Sequence, residues 1–294
     1  MTTDCIELAP GFTLELEQLP APAAAEIHAF LGGARPREDG SAQAILLTFS
    51  AEPPKVPAGS LPVVERQGLE VTRDGNDLVF VAPRCGARTG PERVDLWLTE
   101  LSEVALQELV TLLLPPLLLE LAWSRHRIGI HAASLSIRGQ GVLCPGPSGC
   151  GKSTIFASAR REAIDVLSDD LSWIRRTGDD WLIDPFVRGA PFVPTAPPTI
   201  TSAPLRFLVF PEIVDRDCSE IVSLTPDECL TRLLPQVSLL GSGRERGSRF
   251  QQMVALADGI PAFRLLAGRD YASVPLLLVD LAKSADRDRP ATAG

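Results

Sequence analysis

The sequence predicts an α/β protein. A C-terminal α/β domain spans residues 101–283, a small mixed, mainly β domain occupies residues 1–100, and residues 284–294 form a disordered tail. Three observations predict this. The first hundred residues are rich in proline and in short apolar runs bounded by turn residues, which is how strands read. From "TELSEVALQELV" the apolar period turns helical. Further on, "GVLCP" runs as a strand straight into the glycine loop "GPSGCGKST", which opens a helix.

In chain order, "APAAAEIHAFL" predicts a short helix. "AILLTFS", "LPVVERQGLEVTR", "DLVFVAP" and "RVDLWLTE" predict strands, and the Asp-Gly of "RDGND" a hairpin turn. Thr99 or Ser102 caps the next helix, with Glu103 in its first turn. That helix contains the most apolar run, "LQELVTLLLPPLLLELAW". Its Pro115-Pro116 pair, its Glu108 and Glu120 and its short length predict a buried, kinked helix rather than a membrane span. "GIHAASLSIRGQGVLCPG" reads as two strands joined at "RGQG". "KSTIFASARREA" reads as a helix, "IDVLS" as a strand, and "DDLSWIRRTGDDWLIDPF" as a hairpin turning at "TGDD". After the proline-rich loop "VRGAPFVPTAPPTITSAP" come the strands "LRFLVFP" and "CSEIVSLT". Thr225 caps the helix "PDECLTRLLPQV", "RERGSRFQQMVALADG" ends at Gly259, "IPAFRLLAG" is a strand and "VPLLLVDLAKS" the last helix.

Composition narrows the function classes. The formal net charge of −9 argues against non-specific nucleic-acid binding. The cysteines at positions 5, 85, 144, 150, 218 and 229 include no C-x-x-C pair, and only three histidines are present, so free thiols in a reducing cytosol are expected rather than a zinc or redox centre. "MTTDCIELAPGF" lacks the basic and apolar regions of a signal peptide, so a cytoplasmic location with no membrane partner is expected.

The chemistry concentrates in "HAASLSIRGQGVLCPGPSGCGKSTIFASARREAIDVLSDDLSW". Gly146-Pro147-Ser148-Gly149-Cys150-Gly151-Lys152-Ser153 satisfies G-x-x-x-x-G-K-[ST] between a strand and a helix, and Thr154 follows. Glycines let successive N–H groups converge on one phosphate, and the helix start adds its positive end. Lys152 then reaches the β- and γ-phosphates, and the Ser153 hydroxyl holds Mg²⁺. Neither an N-K-x-D guanine-reading motif nor an L-S-G-G-Q transporter signature is present. One helix and one strand later come Asp169 and Asp170. If that strand neighbours the loop strand, the two carboxylates lie beside the phosphates and divide metal holding from proton acceptance. His131, at the start of the strand before the loop, is placed to donate to phosphate or to act on Asp169. Asp179-Asp180 reads as a hairpin tip, and His28 and His126 as structural or surface residues. Arg244, Arg246 and Arg249 form either a basic lid or a solvated helix face.

This stretch resembles the nucleotide core of the HPr kinase/phosphorylase family and its HPr-kinase-like relatives, over roughly residues 128–175. The matching elements are His131, the strands around Gly139-Gln140-Gly141, the loop Gly146–Ser153 and Asp169-Asp170. The resemblance implies a core related to phosphoenolpyruvate carboxykinase that uses ATP and Mg²⁺ to phosphorylate a serine hydroxyl on a protein or peptide. It implies phosphate binding by Lys152 and the loop amides, metal binding by Ser153, Asp169 as base, Asp170 supporting metal or geometry, and His131 assisting phosphate chemistry. Relatives of this kind also resemble kinases that tailor ribosomal precursor peptides, including lasso-peptide precursors. Phe186 stands where the bifunctional enzymes carry a glutamate, so the reverse, dephosphorylating reaction is not implied. Arg188 nearby is a candidate phosphate or substrate contact. Family likeness further suggests homo-oligomers. A kinase of a small hydroxylated metabolite and a non-catalytic nucleotide sensor are the alternative readings.

Overall fold

A computed structural model describes residues 4–9, 12–31, 43–50, 52–53, 55–56, 63–66, 68–90, 92–153, 155, 164–185 and 202–288. The chain divides into two compact units. The first comprises Met1–Arg127 with the returning segment Ser238–Arg246, and the second is built from most of the remaining chain.

The first unit is an eight-stranded sheet in the order β1-β2-β3-β8-β7-β6-β5-β4. Its strands are β1 (Asp4–Ala9), β2 (Phe12–Glu17), β3 (Gln43–Phe49), β4 (Val64–Arg66), β5 (Leu69–Asp74), β6 (Asp77–Val81), β7 (Cys85–Thr89) and β8 (Arg93–Leu98). Strands β4 to β8 form an antiparallel meander, while β2–β3 and β3–β8 are parallel. A parallel pair needs a crossover, and helix α1 (Ala21–Phe30) lies in the connection between β2 and β3. Alternation along β2 and β8 points Phe12, Leu14, Leu16, Val94, Leu96 and Leu98 inward.

Helix α2 (Glu103–Glu108) is capped by Ser102, whose hydroxyl accepts from the Ala105 N–H at 3.3 Å. A π turn follows at Leu109–Leu113, closed by the Leu114 N–H on the Leu109 carbonyl, and α3 (Leu114–Ser124) continues from it. Pro115 and Pro116 bring no N–H to the ladder, so the expected kink takes the form of this π turn. By length and composition Glu103–Ser124 could cross a membrane, but 56% of its apolar window is buried inside the protein. The sequence misses β1, β2 and β7, and it reads β4 and β5 as one strand. Gly68, at φ +84°, turns the chain between those two. The unit boundary falls after Arg127 rather than at residue 100, because α2 and α3 belong with this sheet.

The second unit contains β9 (Ile128–Ile137), β10 (Gln140–Pro145), β11 (Asp165–Ser168), β12 (Leu171–Thr177), β13 (Asp180–Asp184), β14 (Ala203–Ile213), β15 (Glu220–Leu224) and β16 (Ala262–Ala267). Pairings β9–β12, β12–β13, β13–β14, β14–β10 and β10–β9 close a ring of five strands. Closure is possible because β9 is long. Its first half pairs with β12, and its second half lies between β10 and β11. Strand β16 adds parallel to β14, and β15 forms the edge. The β9–β10 turn is Arg138-Gly139, with φ of +55° and +78°. Positive φ at both central residues is the type I′ pattern that matches strand twist. The turn at Gly178, φ +60°, closes the β12–β13 hairpin as expected from "TGDD".

Helix α4 (Pro226–Leu233) starts with the expected Thr225 cap, a full capping box with Glu228. Helices α5 (Gly243–Gly259) and α6 (Val274–Asp288) follow. Val274, Leu278 and Ala282, four residues apart on α6, join Leu135, Ile137, Val142, Phe207, Val209 and Leu265 in one buried cluster. Residues 284–288, assigned from sequence to the tail, belong to this helix.

Candidate active site

Strand β10 delivers the glycine loop. Gly149 and Gly151 take φ of +83° and +104°, values that need glycine. At Gly146 a Cβ would lie 2.6 Å from the Cys150 sulfur, so a side chain there would have to turn that thiol aside. Helical backbone begins at Lys152, and the Ile155 N–H bonds the Gly151 carbonyl at 3.0 Å. Lys152 is buried. Its Nζ donates to the carbonyls of Gly146 (2.5 Å) and Pro147 (2.9 Å) and lies 4.0 Å from the Cys150 sulfur. Burial pulls the ammonium below the usual lysine value, while the nearby Cys150, Asp170, Cys144 and Asp169 act in the opposite direction. Ser153 is exposed. Thr154 and Arg188 lie outside the described residues, as do Phe186 and most of the segment after the loop that the sequence predicts to be a helix.

The carboxylate pair reaches this place by an unexpected route. Strand β11 is not beside β10. It pairs with β9 on the side opposite β10, and the parallel neighbour of β10 is β14. Because β9 runs antiparallel to both, β10 and β11 still point the same way. The expected outcome at their C-terminal ends is therefore reached through an intervening strand. Asp169 and Asp170 occupy the bend between β11 and β12, which follow one another along β9 with Ser168 beside Ser134 and Leu171 beside His131, and the Ser168 hydroxyl donates to the Leu171 carbonyl.

His131 sits between the two motifs. Its carbonyl accepts from the Gly146 N–H at 3.4 Å, and the next residue, Ala132, donates its N–H to the Asp170 carbonyl at 2.9 Å. The imidazole Nε2 lies 3.0 Å from Asp170 Oδ1. On the other side of the ring, Nδ1 lies 3.2 Å from Gln236 Oε1. Asp169 is buried and Asp170 only half-buried. Four predicted residues (Lys152, His131, Asp169 and Asp170) are thus brought together, with both aspartates in electrostatic reach of Lys152.

The remaining candidates lie elsewhere. Asp179 and Asp180 form the hairpin tip, paired with Arg176 and Arg206 at 3.8 and 3.2 Å. His28 lies in the last turn of α1, and His126 follows α3 at φ +55°. Arg244, Arg246 and Arg249 stand in the first turns of α5. Arg246 donates to the Gly241 carbonyl at 3.2 Å and Arg249 is buried, so this is not simply a solvated face. Two polar features escape the sequence reading. Gln236 is one. The other is Asp184, fully buried, whose carboxylate accepts from Arg175 Nε (3.1 Å to each oxygen) and from the Ser202 hydroxyl (2.8 Å).

The loop suits a nucleotide triphosphate. Its glycines leave the backbone bare, its lysine lies within, and a hydroxyl stands at the helix start. Among the described residues no three His, Cys, Asp or Glu side chains form a ready metal cage. That is compatible with Mg²⁺, which is commonly held by one or two protein oxygens together with substrate phosphates.

No protein-family model and no curated protein matches the chain. Among solved structures, the Hpr(Ser) kinase/phosphatase from Coxiella burnetii is similar at a TM-score of 0.31 and 13% identity, covering 54% of this chain and 96% of that one.

Proposed function

We propose that the protein is an ATP-dependent kinase that transfers a phosphoryl group to a serine hydroxyl of a protein or ribosomal precursor peptide in the cytoplasm. One observation carries the reading. The middle of β9, at His131 and Ala132, bonds the first glycine of the phosphate loop on one side and the Asp169-Asp170 bend on the other. A phosphate cradle alone only binds, whereas carboxylates fixed beside it equip the site for transfer.

In this reading the loop amides and Lys152 hold the phosphates, and Ser153 and Asp170 hold Mg²⁺. MgATP supplies the phosphoryl group and the neutralising charge. Asp169 accepts the proton of the incoming hydroxyl. His131 orients Asp170 through its Nε2. A nucleotide sensor would need no such carboxylate pair.

The test is transfer of ³²P from γ-labelled ATP to a panel of serine peptides, proteins and hydroxylated metabolites. Asp169→Asn is expected to lower kcat about 10²–10⁴-fold, the usual worth of a general base, while ATP binding persists. Unchanged transfer by that variant removes Asp169 from the role. Transfer to metabolites alone changes the substrate class, and tight ATP binding without any product overturns the kinase reading.

A further inference from the structure

A histidine held at one ring nitrogen can still swing about that bond. Histidines that work through a ligand or a carboxylate are usually fixed by a second hydrogen bond at the other nitrogen. His131 has such a bond, to Gln236, 105 positions along the chain. Gln236 is itself well fixed. It ends the single 3₁₀ turn Leu234–Gln236 that continues α4, and its side chain is buried. The next residue, Val237, forms an antiparallel bridge with Ile130, directly before His131. The backbone thus brings the amide to the imidazole before any ligand arrives.

Proton placement gives the amide a specific task. An ionised Asp170 only accepts, so the ring nitrogen facing it must carry the hydrogen. Gln236 meets the other ring nitrogen, Nδ1, with its Oε1 at 3.2 Å, and a half-turn of the carboxamide puts its NH₂ in the same place, so the amide can pair with Nδ1 whether or not that nitrogen carries the hydrogen. A methionine or leucine of similar volume offers no such partner.

We infer that Gln236 is a positioning residue, whose carboxamide hydrogen-bonds His131 Nδ1 and thereby keeps Nε2 directed at Asp170. The inference rests on the kinase reading for its functional consequence, but not for the contact itself. Loss of the amide leaves the ring free to turn and Asp170 free to move with it.

Two measurements test it on the full-length protein. The first is the ¹⁵N imidazole spectrum at one fixed pH. With three histidines in the chain, the His131 signals are assigned by their loss in His131→Asn. In Gln236→Met, and in Gln236→Leu as a second variant, the Nδ1 resonance is expected to move and the Nε2–H signal to broaden, while the signals of His28 and His126 stay put. An unmoved Nδ1 resonance in both variants overturns the inference, whatever the activity. The second is kinetic. Gln236→Met is expected to lower kcat about tenfold, within the range for residues that orient a ligand, with KM for ATP within about twofold. On a His131→Asn background the same change is expected to cost nothing further. Full additivity in that double variant overturns the inference. If the wild-type protein transfers phosphate to no acceptor, the kinase reading fails by itself, and the Nδ1 resonance still decides whether Gln236 holds His131.

Discussion

The closed ring of the second unit makes a sharp demand at one position, Gly141. This residue lies in β10 with backbone angles open to any residue, so its need for glycine is purely one of space. A Cβ there would sit 2.8 Å from Ile183 Cδ1, 2.9 Å from the Pro204 oxygen and 3.2 Å from the Pro204 carbonyl carbon. The isoleucine tip can rotate away. The Pro204 backbone cannot, since it lies between the β13 pairing at Leu182 and the β10 pairing of the next residue, Leu205. The β10–β14 register also shifts between Gly141 and Val142. Gly141→Ala must therefore push β10 from β14, at about 3 kcal/mol, the upper end for overpacking. At about 2–4 °C per kcal/mol this lowers Tm by about 6–12 °C. The control lies two residues away. Gly139 has open space around it and φ +78°, so Gly139→Ala costs only its left-handed strain, about 1–2 kcal/mol. Adding Ile183→Val to Gly141→Ala removes the terminal methyl but not the carbonyl, and is expected to recover less than half of the loss. The assay is urea denaturation together with hydrogen exchange of peptides covering 140–145 and 203–208, where opening should become cheaper. A Gly141→Ala protein within 0.5 kcal/mol of wild type, or one less affected than Gly139→Ala, would refute the closed ring at this point.

Other expectations follow from buried polar and thiol groups. Asp184→Ala removes the acceptor shared by Arg175 and Ser202 and is expected to cost about 3 kcal/mol, the low end for breaking a buried pair because Arg175 stays partly exposed. Asp184→Asn, which keeps an acceptor for Ser202, is expected to cost about half as much in the same urea assay. Burial pushes the Cys85, Cys144 and Cys229 thiols from 9.0 up to about 12, so alkylation by iodoacetamide at pH 8 should label exposed Cys218 and spare these three until the protein unfolds. The same shifts set a sign with pH. Folded thiols keep protons that unfolded ones release, so urea midpoints should hold below pH 9 and fall as pH rises from 9 toward 12. A midpoint that rises across that window would contradict the burial of these groups.

What the sequence reveals about the fold tracks how local the cause is. The β9–β10 hairpin, the Ser102 and Thr225 caps and the Gly178 turn rest on contacts within a few residues, and each is legible from residue type. Strands β1, β2 and β7 are less legible. "FTLELE" alternates cleanly, but its partner β3 lies across a helix, and "CGART" reads as a strand only once β6 and β8 flank it. The β11 placement fails for a related reason. Adjacency in sequence suggests adjacency in a sheet, but the loop strand is already paired on both sides, with β9 and β14.

The site divides along the same line. Loop glycines, a lysine and a carboxylate pair announce themselves because few other roles call for those residues at that spacing. A glutamine announces nothing, since its amide is neutral and is common on any surface. Gln236 becomes visible only when α4 ends in a 3₁₀ turn and Val237 bridges Ile130, which carries the amide onto the ring of His131. The histidine therefore means more in the structure than in the sequence. In sequence it is one residue ahead of a glycine loop. In the structure its carbonyl anchors the loop, its neighbour anchors the carboxylate bend, and its ring joins Asp170 to Gln236. A substitution at Gln236 or in the turn that carries it should therefore be felt at Asp170, although neither is near the carboxylate pair in sequence.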